Sequence, residues 1–171
     1  MTTATTTATT QVHRIYINAK PQAVWDAITS PEWNGRYGYG ARAEYDLRAG
    51  GAYRAYASEE MIEAGKRMGF ETPEVVVDGE VIECDPPRRL VQTWRMLMDP
   101  GTAEEGFTRL TYEIDEVPSG VTRLTVIHDL AHAPKLAQMV SGSDETGAGG
   151  GWAWVLSDLK TLLETGKAFA G

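Results

Sequence analysis

The sequence predicts an α+β fold in which an antiparallel sheet is covered by a long C-terminal helix. Three observations carry that expectation. Stretches of alternating apolar and polar residues, rich in β-branched and aromatic side chains, occur at 12–17, within 42–57 and four times between 75 and 130. Turn-forming clusters, Gly50-Gly51, Pro86-Pro87 and Pro118-Ser119-Gly120, separate neighbouring stretches at hairpin distances. Trp152, Val155, Leu156, Leu159, Leu162 and Leu163 then recur at the three- and four-residue spacings of a helix with one apolar face.

Met1 to Gln11 is a Thr/Ala tract with too little apolar surface to offset its ordering entropy, so it reads as a disordered tail before a domain spanning 12–171. The first strand runs from Val12 to Ile17. Pro21 suits a first helical turn, and Val24, Trp25, Ala27 and Ile28 make an apolar stripe that Ser30-Pro31 ends. Glu32 to Gly40 mixes aromatics with glycines and reads as a loop or loose helical turn. Residues 42–47 and 52–57 form a hairpin about Gly50-Gly51. Ser58 suits an N-cap, Glu59 and Glu60 the positive helix end, Lys66 and Arg67 the negative end, and Gly69 the close, which predicts a helix over 58–69.

Strands follow at Val75–Glu83, Leu90–Met98, Thr108–Ile114 and Val121–Leu130, with Asp99 to Gly106 a polar loop between the middle two. Pro134 to Val140 reads as a short helix, and the Gly/Ser-rich stretch 141–151 as a flexible hinge. The closing helix ends near Gly166.

Composition excludes several function classes. The chain has 171 residues, enough for one ordinary domain burying roughly 70% of its unfolded surface. Its net charge of −8 repels phosphate backbones and anionic membranes, so direct nucleic-acid binding is not expected. A lone cysteine, Cys84, forms no internal disulfide and no Cys-x-x-Cys pair, and between Glu83 and Asp85 it reads as structural. The chain has no apolar run of about 20 residues and no signal-peptide pattern at its start, which predicts a cytoplasmic protein without membrane insertion. No His-x-x-x-His or His-Glu-x-x-His spacing exists, so neither a metal nor a cofactor is expected. Gly147 to Gly151 lacks the Lys-Ser/Thr of a phosphate loop, and Ser141 and Ser143 lack a nucleophile elbow. Glu59, Glu60 and Glu63 read as solvated helix charges.

Several segments, taken in order, are similar to the START/SRPBCC superfamily, and within it to the branch named for homologues of the heat-shock ATPase activator. They are Lys20 to Thr29, Leu47 to Tyr53, Gly79 to Leu90 and Gly151 to Leu159. The resemblance covers roughly residues 12 to 166. It implies a helix-grip fold, a curved antiparallel sheet wrapped around the long C-terminal helix, with two short helices after the first strand and an apolar cavity between sheet and helix. Residues 58–74 and 131–150 are longer than that pattern and read as lids at the cavity mouth.

Alternation places Leu90, Gln92, Trp94, Met96 and Met98 on one side of their strand, Leu110, Tyr112 and Ile114 on the next, and Leu124, Val126 and His128 on the last. With the family's cavity, Trp33, Tyr53, Gln92, Trp94, Met96, Tyr112, His128, Trp152 and Leu156 become the candidate ligand-binding residues. Such a lining, mainly aromatic and Met-rich with a few polar groups, is what small-molecule sites use. No catalytic residue is assigned; His128 is the weak candidate for proton transfer, and His13 and His132 stand alone.

The leading functional expectation is binding of a small hydrophobic or amphipathic ligand, by a monomer or homodimer. The alternatives are a protein-interaction or co-regulatory module acting on a heat-shock ATPase or a transcription regulator, and a cyclase- or dehydratase-like enzyme on polyketide-type substrates.

Overall fold

The computed structural model describes residues 9–142 and 150–170. Seven strands among these form one antiparallel sheet in the order β1-β7-β6-β5-β4-β3-β2. The strands are β1 (Thr10–Ile17), β2 (Arg42–Tyr45), β3 (Ala52–Tyr56), β4 (Val75–Asp85), β5 (Arg89–Met96), β6 (Thr108–Glu116) and β7 (Thr122–Asp129). The helices are α1 (Pro21–Thr29), α2 (Pro31–Asn34), α3 (Glu59–Met68), α4 (Pro100–Glu104), α5 (Pro134–Ser141) and α6 (Gly151–Thr165). The sheet is open, with β1 and β2 at its edges, and α6 packs on its inner face: Trp152, Leu156 and Leu159 share one core with Leu110, Leu124 and Val126. This is the expected helix-grip arrangement, with α1 and α2 following the first strand.

Local chemistry explains the elements. The Ser58 hydroxyl accepts from the Met61 amide, Glu59 and Glu60 sit in the first turn of α3, Lys66 and Arg67 in its last, and Gly69 closes it in the left-handed conformation. Glu59, Glu60 and Glu63 are exposed, as helix-start charges should be. The hairpin β2–β3 needs glycine at 51, where a Cβ would lie 1.9 Å from the Asp46 carbonyl oxygen. Gly79 is required in the same way, because a Cβ there would sit 1.9 Å from the Thr93 carbonyl on β5.

Several boundaries differ from the sequence reading. β1 starts at Thr10, because Gln11 and Thr10 pair with His128 and Asp129 and the Thr9 carbonyl accepts from Leu130; residues 1–8 of the expected tail lie outside the described residues. β5 stops at Met96, so Met98 is not a strand residue, although it packs on the core. The expected loop at 99–106 contains α4. Pro100 presets its first turn, and the buried Thr102 hydroxyl donates to the carbonyls of Met96 and Asp99, bonds that the polar composition of the segment conceals. Of the expected hinge at 141–151, residues 143–149 lie outside the described residues, while Ser141 ends α5 and Gly151 opens α6.

The β2 edge is closed by a side chain. The Asn34 amide nitrogen donates to the Ala43 carbonyl at 2.9 Å while its oxygen accepts the Ala43 N–H at 2.8 Å, so the amide imitates one residue of a neighbouring strand. Asn34→Leu strips both partners from a buried backbone unit and should cost about 1–3 kcal/mol in urea unfolding. Asn34→Asp, which sets a carboxylate oxygen against the Ala43 and Ile28 carbonyls in a buried site, should cost at least as much.

Candidate functional site

Strand register gathers the predicted residues into rows. Leu90 faces Tyr112, which faces Val126; Gln92 faces Leu110, which faces His128; Trp94 faces Thr108. On the other side Val81 faces Gln92 and Tyr53 faces Gly79. Gln92, Trp94, Tyr112, His128 and Trp152 therefore meet beneath α6, with Trp152 edge-on to both Tyr112 and His128 and Trp94 edge-on to His128. Tyr53 joins through Tyr45, whose ring centroid is 4.6 Å away and whose hydroxyl donates to Gln92 Oε1 at 2.7 Å. Leu156 is core, and Met96, opposite Val77, is partly buried. Trp33 stands apart from this cluster, at the core's rim with the Arg36 guanidinium 4.6 Å above its ring.

His128 is fully buried and doubly engaged. The Trp152 indole N–H reaches its Nδ1 at 3.2 Å, and Thr108 Oγ1 lies 2.8 Å from its Nε2. An indole nitrogen only donates, so Nδ1 is the acceptor and the proton sits on Nε2, which donates to Thr108; Thr108 passes its own proton to the Trp94 carbonyl at 2.8 Å. Burial, the main cause, lowers the His128 pKa to about 4; Asp129 opposes this and His13 adds to it. The imidazole is thus neutral, and both nitrogens are spent within the protein, so acid–base chemistry there would first have to break the chain.

Four phenols cluster nearby. Tyr37 donates to the Ala27 carbonyl at 2.9 Å, and burial raises its pKa, as do Tyr53 and Asp158. Burial likewise raises Tyr45 and Tyr112 well above 10. Tyr53 is raised to about 12 by burial, with its Trp94 and Tyr45 neighbours offsetting part of the rise. Cys84 is half-buried, its thiol pushed up by burial and by Asp85, which suits the structural role expected of it.

Tyr37, Tyr45, Thr108 and Asp158 were not singled out by the sequence. Asp158 left a signal: it falls three residues after Val155 and four before Leu162, inside the apolar stripe of α6. Fully buried, it accepts from the amides of Gly38 at 2.8 Å and Phe169 at 2.7 Å, pinning the 35–40 loop and the chain after α6 to the helix. Two concave regions stand out among the described residues, neither of them between sheet and α6. One, of about 750 Å3, lies among Arg42, Glu44, Tyr56, Ile62, Lys66 and Glu74; the other, of about 320 Å3, lies among the Gly35–Gly40 loop, Ser58–Glu60 and Ala170. Residues 58–74, read as a lid, thus contribute to both. Tyr37 lines the second while belonging to the phenol cluster, so this concavity borders the cluster.

The sheet, its order and the covering α6 define a helix-grip protein of the START/SRPBCC type. The chain belongs to the family of activator of Hsp90 ATPase homolog 1-like proteins, whose model matches residues 18–164. No curated protein matches it. Among solved structures, protein MLL2253 from Mesorhizobium loti is 20% identical with a TM-score of 0.63, over 91% of this chain and 96% of that one. The Aha1 dimer of Colwellia psychrerythraea is 18% identical with a TM-score of 0.62, over 93% and 98%. An HSP90 activator from Plasmodium falciparum, PFC0360w, is 20% identical with a TM-score of 0.54, over 95% and 92%. At these identities the likeness carries the fold alone.

Two outcomes follow from the geometry. Because the unfolded histidine titrates near 6.5 and the folded one near 4, the unfolded state binds the extra proton between those values, so stability should fall as pH drops from 6.5 towards 4. The loss should approach about 1.4 kcal/mol per pH unit. His128→Gln, whose amide can accept from Trp152 and donate to Thr108, should flatten that dependence between pH 6.5 and 5 in denaturant titrations. Asp158→Asn turns one acceptor into a donor facing backbone N–H groups; a loss of about 1–3 kcal/mol and faster hydrogen exchange at the Gly38 amide are expected.

Proposed function

We propose that the protein binds a small hydrophobic or amphipathic molecule between the sheet and α6. The observation supporting this reading is Tyr112. It lies at the middle of the inner face between Leu90 and Val126, which are fully buried, yet it keeps accessible surface of its own. No described residue hydrogen-bonds its hydroxyl, and no sealed side-chain polar atom among the described residues lacks a partner, so that hydroxyl keeps a little accessible surface. An unpartnered phenol beside an aromatic cluster suits an apolar ligand whose burial contributes about 25 cal/mol per Å2.

The test is native mass spectrometry of the purified protein, then denaturing extraction and thermal melts with a diverse apolar library. A retained apolar molecule, or a ligand at 100-fold its Kd raising the melting temperature by about 5–10 °C, is the expected result. An empty protein that no library member stabilises would overturn the reading and move the function to a protein-interaction surface, the role carried in the name of the Plasmodium relative.

A further inference from the structure

The groups left free inside the fold define what kind of molecule the interior can hold, an inference that rests on the interior-binding reading above. Of the polar side chains in the cluster, most are already engaged. Gln92 Oε1 accepts from Tyr45 while its Nε2 donates to the Thr93 carbonyl at 3.4 Å, both His128 nitrogens are bonded, Thr108 donates to Trp94, and Tyr37 donates to Ala27. Tyr112, with Tyr53 beside it, keeps an O–H free of described partners. A phenol is a donor that orients a neutral acceptor, and burial keeps this one protonated across ordinary pH.

Charge is the second constraint. Among the described residues no lysine or arginine is buried; Arg89, Arg95 and Arg123 pair with carboxylates that keep solvent exposure. The one fully buried carboxylate among the described residues, Asp158, stands near Tyr37 and repels anions, as does the net charge of −8. An ionised carboxylate or phosphate brought inside would be desolvated with no cation to meet it. Shape is the third, since the edge-on Tyr112–Trp152 and tilted Tyr45–Tyr53 pairs present ring surfaces that favour a flat partner.

We propose that the interior takes a neutral, planar, ring-containing ligand held through a carbonyl or ether oxygen by the Tyr112 hydroxyl, and that it rejects fatty-acid-like anions. Three probes of one skeleton test this by equilibrium dialysis: 9-fluorenone, fluorene and fluorene-9-carboxylate. Fluorenone should bind about two- to tenfold more tightly than fluorene, the span of one neutral hydrogen bond. The carboxylate should bind roughly tenfold or more weakly than fluorenone. In Tyr112→Phe the preference for fluorenone over fluorene should vanish while fluorene binding persists.

Because the hydroxyl has no partner to lose among the described residues, Tyr112→Phe should melt where the wild type does; a variant that fails to fold would overturn the assignment of a free donor. A carboxylate that equals or exceeds fluorenone overturns the neutral class while leaving interior binding intact. A fluorenone preference that survives in Tyr112→Phe overturns the anchor alone. Absence of binding by all three overturns the inference together with the reading beneath it.

Discussion

One directional chain organises this fold: Trp152 donates to His128, His128 to Thr108, and Thr108 to the Trp94 carbonyl. It crosses from α6 to β7, then β6, then β5. The surrounding Leu110, Leu124, Val126, Leu156 and Leu159 supply most of the driving force, but apolar burial has no direction and would tolerate a helix rotated or slid on the sheet. Each hydrogen bond adds only about 0.5–1.5 kcal/mol net, whereas leaving one buried group unpaired costs about 1–3 kcal/mol. The chain therefore contributes more to the uniqueness of the packing than to its total stability. It also works only with a neutral imidazole, so the low pKa of His128 is a structural requirement and not a sign of catalysis.

The parts of the fold legible in the sequence were those fixed by nearest neighbours. The inner faces of β5, β6 and β7 could be read because polar partners such as Thr93, Glu113 and Arg123 alternate with apolar ones, and a pleat sends alternate residues to opposite sides. The caps of α3 were legible because Ser58 and Gly69 act within one turn of themselves. What escaped were groups whose partners are remote. Asp158 meets Gly38 across 120 residues, and nothing local distinguishes it from a solvent-facing helix aspartate except its place in the stripe. Tyr45 meets Gln92 across 47, and read alone it is one more strand aromatic.

The same interior also separates groups that hold the fold from groups free to do something else. A histidine and a glutamine were reasonable candidates to orient a ligand, yet both nitrogens of His128 are taken by Trp152 and Thr108, and Gln92 gives its oxygen to Tyr45 and reaches the Thr93 carbonyl with its nitrogen at 3.4 Å. A buried polar group that is fully satisfied has nothing left to offer without breaking what it already makes. Tyr112 differs because its ring contributes to the apolar packing while its oxygen does not take part, so the residue can serve structure and recognition at once.

An open sheet brings a second problem, two edges with unpaired backbone groups, and side chains from other layers answer it at both. At β2 the Asn34 amide saturates Ala43 in both directions. At β1, Lys160 on α6 donates to the Tyr16 carbonyl, Glu164 accepts the Asn18 amide, and Gln11 reaches the Ala137 carbonyl on α5. Lys160 and Glu164 also bond each other one helical turn apart, and the Asn18 amide followed by Lys160 holds the Glu164 carboxyl below its usual range. A strand added at Ala43 or at Tyr16 would have to displace these contacts before gaining its own. α6, besides gripping the inner face, thus covers the Tyr16–Asn18 end of the β1 edge.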